Sequence, residues 1–147
     1  MRETTWAGKP AIFWLTGAAA LLMVVGGFGP WATVFGVLSV SGTHGDGWIV
    51  IVGGVIAAVL LARDLSSGSS RRWPAIGLVV VAVVGTIVTV KDLSDINSVA
   101  GDSTFFGRQI VSAGWGIYMA VIGSVALVVC GGLTLRWRPY ALALTGR

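Results

Sequence analysis

The chain predicts an all-α membrane protein. The expected fold is a bundle of four transmembrane helices, built as two repeated helical hairpins, under a small extracytoplasmic cap containing short β-strands. Three observations carry this expectation. Of 147 residues, 55% are hydrophobic and 11% charged, with a mean hydropathy of +0.87; soluble domains carry about 25% charged residues. The charges avoid four apolar stretches, 11–29, 48–62, 74–90 and 114–135, each near the ~20 residues that cross a bilayer as a helix. The basic residues, finally, fall in alternate connections. Arg2, Lys9, Arg63, Arg71, Arg72, Arg136, Arg138 and Arg147 lie in the N-terminus, middle loop and C-terminus, and only Lys91 and Arg108 in the other two loops. The positive-inside rule then predicts a multi-pass protein of the cell membrane with both termini cytoplasmic.

The single membrane domain is read in order. Arg2 and the apolar run behind it resemble a secretory signal, but the run passes signal length without a convincing cleavage site, so 11–29 is expected to stay as a helix. Pro10 suits its first turn. In the outer loop 30–47, residues 31–43 are rich in Val, Phe, Thr and Ser with partial alternation, which predicts short strands; extension of the first helix, or a segment along the interface, is the alternative. Gly45-Asp46-Gly47 reads as a turn with glycines at positive φ. After the helix 48–62, the inner loop 63–73 contains Ser66-Ser67-Gly68-Ser69-Ser70, a linker composition that needs no structure. Helix 74–90 leads to the outer loop 91–113, where 91–102 is expected to be solvated loop with a helical cap and 104–112 strand-like. Helix 114–135 and a cytoplasmic tail 136–147 complete the chain.

The halves match weakly. Pro10-Ala11-Ile12 and Pro74-Ala75-Ile76 open the first and third helices; Val40-Ser41-Gly42 leads to Gly47-Trp48 as Val111-Ser112-Ala113 leads to Gly114-Trp115. Two out-and-back units share one orientation, as parallel repeats do; chance matching of Gly, Val and Trp is the plain alternative. Gly53/Ala57, Gly54/Ala58, Thr16/Ala20, Ala82/Thr86 and Gly116/Ala120/Ser124 are small residues one turn apart, and they mark faces where helix backbones approach closely. Trp14, Trp73 and Trp137 are expected near the inner interface and Trp31, Trp48 and Trp115 near the outer one.

The apolar stretches contain no Asp, Glu, Lys, Arg or His, so the groups that usually carry intramembrane proton transfer or ion binding are missing. The basic surface is explained by topology and anionic lipid rather than nucleic acid. Cys130 is the sole cysteine, which rules out an intramolecular disulfide, and packing is its expected role. His44 with Asp46, Asp92, Asp95 and Asp102 offers metal-ligand chemistry on the outer side, but the spacing fits no metal motif. Arg108 is expected to pair with an outer aspartate. No nucleophile–base set or phosphate loop is visible. Catalytic, cofactor and metal residues are therefore expected to be none, and the chain is not expected to be an enzyme.

Small multidrug exporters use an intramembrane glutamate, four-helix cytochromes intramembrane histidines, and claudin-type proteins paired loop cysteines; none of these is present. The run from Pro30-Trp31 through Ser39-Val40-Ser41-Gly42 to Gly45-Asp46-Gly47-Trp48, ahead of an apolar helix, resembles small four-helix integral membrane proteins of actinobacteria. That resemblance is at the level of pattern and implies no activity. The expected function is a non-enzymatic accessory or interaction subunit of a membrane complex, whose partners are the bilayer and another membrane protein or a second copy. The alternative is a small transporter or channel subunit acting as an oligomer, with lipid handling ranked third.

Overall fold

A computed structural model describes residues 5–6, 9–67, 73–102, 104–105 and 108–144, with side chains at 11–64, 73–102 and 110–136. The elements run β1 (Thr5–Trp6), β2 (Lys9–Pro10), α1 (Ala11–Phe28), β3 (Pro30–Val34), β4 (Leu38–Ser41), a 3-10 turn (Gly42–His44), α2 (Gly47–Ser67), α3 (Trp73–Asp102), β5 (Thr104–Phe105), β6 (Arg108–Gln109), β7 (Val111–Ala113) and α4 (Trp115–Leu144). All four α-helices are long and apolar enough to cross a bilayer, the architecture of a multi-pass membrane protein.

The helices form a closed ring in which α1 packs on α2, α2 on α3, α3 on α4 and α4 back on α1. Contacts run in opposite directions along each seam, so neighbours are antiparallel: Gly26 abuts Gly116 and Ala120 while Gly123 abuts Ala19 and Met23. Lipid tails give no hydrophobic drive to this association, so close backbone packing must supply it. The α1/α4 seam does so through missing side chains. A Cβ on Gly26 would lie 2.5 Å from the Ala120 nitrogen, and one on Gly123 2.8 Å from the Met23 nitrogen. Met23, Val50, Ile117, Leu127, Thr89 and Ser124 fill the interior and are fully buried. Of the small pairs, Thr16, Ala20, Gly54, Ala57, Ala82, Gly116, Ala120 and Ser124 are buried, whereas Ala58 faces outward.

Three segments placed outside the helices by the sequence analysis are helical. α2 continues through Arg63-Asp64-Leu65-Ser66-Ser67, since nothing before Gly68 breaks a helix already propagating; residues 68–72, which hold the rest of the predicted linker with Arg71 and Arg72, lie outside the described residues. α4 continues to Leu144, through most of the predicted tail. The largest correction is α3, which continues through 91–102 instead of giving way to loop. Its 30 residues make a rod of about 45 Å against ~30 Å of hydrocarbon, so the part beyond Val90, where charge begins, projects past the apolar stretch. Leu93, Ile96 and Ala100, at helical spacing, turn inward. Lys91 and Asp95 form an i,i+4 pair at 3.3 Å.

The predicted strands form and pair. β4, β3 and β7 make one antiparallel sheet in that order. Thr33 stands opposite Ser39 and Ser112, and the Thr33 and Ser112 hydroxyls lie 2.7 Å apart, so one face is a polar ladder. Ala32, Val34, Leu38, Val40, Val111 and Ala113 alternate onto the other face. The two helical hairpins share one direction, but their connections at this end differ. Val40-Ser41 sits opposite Ala32 and Pro30, whereas Val111-Ser112 sits opposite Val34 and Thr33. The matched segments therefore flank β3 at different heights.

Candidate functional site

The sheet end of the bundle concentrates the polar chemistry, and a tryptophan organises it. The β3–β4 register shifts between Pro30 and Ala32, leaving Trp31 as the extra residue of a bulge, a device that re-aims a side chain. Its indole turns into the bundle, only 5% exposed, and Nε1 donates to the Gly26 carbonyl at 2.9 Å. The Ser41 hydroxyl donates to the Phe28 carbonyl at 3.0 Å. These bonds satisfy carbonyls that the last turn of a helix leaves without intrahelical donors. Trp31 is thus a buried capping residue rather than the interfacial anchor expected of it, while Trp14, Trp48, Trp73 and Trp115 are all more than half exposed. Gly42 makes room, since a Cβ there would collide with the indole.

Beside Trp31 lies an open cleft of about 340 Å³ between the hairpin, the 3-10 turn with Gly45 and Asp46 after it, and the α3 extension. Four of the five residues considered as ligands, His44, Asp46, Asp92 and Asp95, line it. Asp102 does not; at the far end of α3 it lies ten residues, about 15 Å, beyond Asp92. Among the described residues no group of His, Cys, Asp and Glu side chains is placed to hold a metal ion. Gly45 has φ −137°, so the expected positive φ does not occur there. Gly47 is required by proximity instead, because a Cβ would sit 2.5 Å from the Gly42 carbonyl group.

Asp92 is the unusual group. Its Oδ2 is fully buried and accepts no hydrogen bond, and the other oxygen lies 3.8 Å from the Lys91 ammonium, too far for a good hydrogen bond. Burial raises the Asp92 carboxyl above the usual carboxylate range, the Asp46 charge adds to this, and Lys91 only partly opposes it. Lys91 is held above its ordinary value chiefly by its hydrogen bond to Asp95. The sequence shows Asp92 among the outer acids, but its partial burial follows from 91–102 being helix rather than the expected solvated loop, for which the Leu93, Ile96, Ala100 spacing is the signal.

The remaining candidates are scattered. Cys130 is buried, 15 residues along α4 from Trp115 and so about 22 Å from the sheet end. Arg108 lies on β6, but its side chain, and any pairing with an aspartate, lies outside the described residues. The hairpin tip is apolar: Phe35 is 66% and Val37 86% exposed. Phe35 adopts φ +53° and Gly36 +69°, and the Val37 nitrogen donates to the Val34 carbonyl at 3.2 Å. Two successive positive φ values match the right-handed twist of a hairpin; Phe35 adopts one without glycine's freedom.

Two more concavities flank α2 on the bundle's outer surface. One, about 530 Å³, runs between α1 and α2 along Gly17, Ala20, Leu21, Gly54, Ala58 and Ala62. The other, about 410 Å³, runs between α2 and α3 along Trp48, Val52, Gly53, Ile56, Val80 and Val84. Both are apolar and suit packing, not bond-making. Comparison with protein-family models, curated proteins and solved structures finds no match to this chain.

Proposed function

We propose that this chain is a non-enzymatic accessory or interaction subunit of a membrane complex, placed in the cell membrane with both termini cytoplasmic and the sheet outside. The observation that carries the reading is the pair of apolar grooves flanking α2. Close approach of small residues is how helices bind helices in lipid, and α2 presents Gly54, Ala58 and Ala62 along one groove. The charge distribution supports the orientation: Lys91 and Asp95 lie at the sheet end, Arg63 and Arg136 at the other. The pattern-level likeness to small actinobacterial membrane proteins is compatible with this role and adds no activity.

The test is purification of the tagged chain from its native membrane in mild detergent or nanodiscs, with mass spectrometry of what co-purifies in fixed ratio. A stoichiometric heterologous partner is expected, and Ala58→Leu, which fills a groove from an outward-facing position, should release it without unfolding the bundle. Self-oligomers alone would favour the transporter or channel reading, to be followed by liposome flux. Turnover of a substrate by the isolated chain would overturn the proposal.

A further inference from the structure

A carboxylate oxygen buried without a donor favours the neutral acid over the anion, and Asp92 at the sheet end carries such an oxygen. Asp92 projects from α3 into the cleft beside Trp31. Its side chain is 16% exposed, and Oδ2 is fully buried without a hydrogen bond. The described charged or titratable groups lining the cleft are His44 and Asp46 from the turn before α2, with Asp95 from α3 itself; Lys91 adjoins Asp92 from α3. The facing residues of β3 and β4, which are Trp31, Ala32, Val40 and Ser41, and the residues of β7, Val111–Ala113, which packs on α3, contribute no charge. Among the described residues Lys91 is the cation beside Asp92, and it is committed to Asp95 at 3.3 Å with its side chain 65% exposed.

We propose that proton uptake by Asp92 tightens the packing of the α3 extension against the sheet and the turn before α2, making the cap respond to the acidity of the face that carries it. The neutral carboxyl removes repulsion from Asp46 and Asp95 and no longer leaves a charged oxygen buried without a donor. The raised carboxyl agrees with this direction. A group whose folded value lies above its unfolded one contributes most below the unfolded carboxylate value, and that contribution is lost as pH rises through the folded value.

The experiment is amide hydrogen exchange by mass spectrometry on the full chain in nanodiscs between pH 4 and 8, corrected for intrinsic exchange. Peptides covering 91–102 and 38–47 are compared with one from the middle of α4. Protection of the first two should rise on acidification, on the order of tenfold for each unit by which the folded carboxyl titrates above the free one; α4 should not change. Asp92→Asn, a neutral mimic, should hold the cap protected at every pH, and His44→Gln should keep the wild-type profile. Should Asn at 92 disturb folding, infrared titration of the wild-type carboxyl band, with Asp46→Asn as the second variant, gives an independent reading: Asp46→Asn should lower the midpoint. Flat or inverted wild-type protection, an Asp92→Asn profile that still follows pH, or a carboxyl band titrating in the ordinary range would each overturn the proposal.

Discussion

Gly26→Ala adds one carbon at the most crowded point of the α1/α4 seam. The new Cβ would lie 2.5 Å from the Ala120 nitrogen, 2.8 Å from the Gly116 oxygen and 2.9 Å from the Ala120 Cα, whereas ordinary contact begins at 3.4 Å. All three neighbours are backbone, so no side chain can swing aside and the helices must separate by about 1 Å. Dispersion attraction falls steeply over such a gap, and overpacking of this kind costs ~1–3 kcal/mol. The upper part of that range is expected, because the shift also disturbs Gly116 and Gly123 along the same seam. Gly132→Ala is the matched control: it makes the same chemical change on α4, where a Cβ meets nothing within 4 Å, and helix propensity favours it by up to ~1 kcal/mol. Thermal unfolding in mild detergent, followed by helical circular dichroism and size-exclusion recovery, reads both variants. Equal midpoints for the two variants would refute seam packing as the source of stability.

Trp31→Phe removes the indole donor to Gly26, but the Gly29 nitrogen, 3.2 Å from the same carbonyl, still serves it. The expected loss is therefore about 1 kcal/mol, measured as a lowered unfolding midpoint. Phe35→Asn creates the Asn-Gly pair that suits two positive φ values; it should stabilise the hairpin by up to about 1 kcal/mol, seen as slower exchange of the Val37 amide. Thr89→Val should cost only about 0.6 kcal/mol in a chemical unfolding titration, because the Thr89 hydroxyl already donates to the Gly85 carbonyl at 2.8 Å and lies 3.5 Å from Ser124. A loss several times larger would mean that the α3–α4 hydroxyl pair carries real binding energy.

The helices were legible because every apolar stretch is long and uncharged, which leaves an apolar segment few ways to satisfy its backbone. Helix ends were not. The apolar stretches end where charge begins, at Arg63, Lys91 and Arg136, but charge ends a membrane crossing and not a helix. Lys91 and Asp95 instead stabilise the turn they occupy, and the next inward residues recur at helical spacing. The sheet was legible through β-branched residues in 31–43. Trp31 was not, because its position in the bulge depends on pairing between β3 and β4, and a tryptophan after an apolar stretch reads as an interfacial anchor. The outer acids are each visible in the sequence. Their convergence, and the stranding of Asp92, follow from the α3 extension that periodicity alone would have had to reveal.

The filling of the bundle interior bears on the transporter alternative. Along the axis, Met23, Val50, Ile117 and Leu127 are fully buried, and the buried hydroxyls are Thr16, Thr89 and Ser124. Each of these hydroxyls donates to a carbonyl of its own helix, at 2.7 Å for Thr16, 2.8 Å for Thr89 and 3.0 Å for Ser124. Their donor capacity is thus spent on structure, and a polar solute entering the ring would have to displace close-packed side chains. A route through one protomer is therefore disfavoured by packing and by polarity alike. If flux is ever measured, its path lies between protomers, where the α2 grooves, lined by Gly54 and Ala58 on one side and by Gly53 and Val84 on the other, would form the contact. The same two grooves thus decide both readings, and an Ala58→Leu variant that abolished flux while leaving the monomer folded would identify the contact as the conducting one.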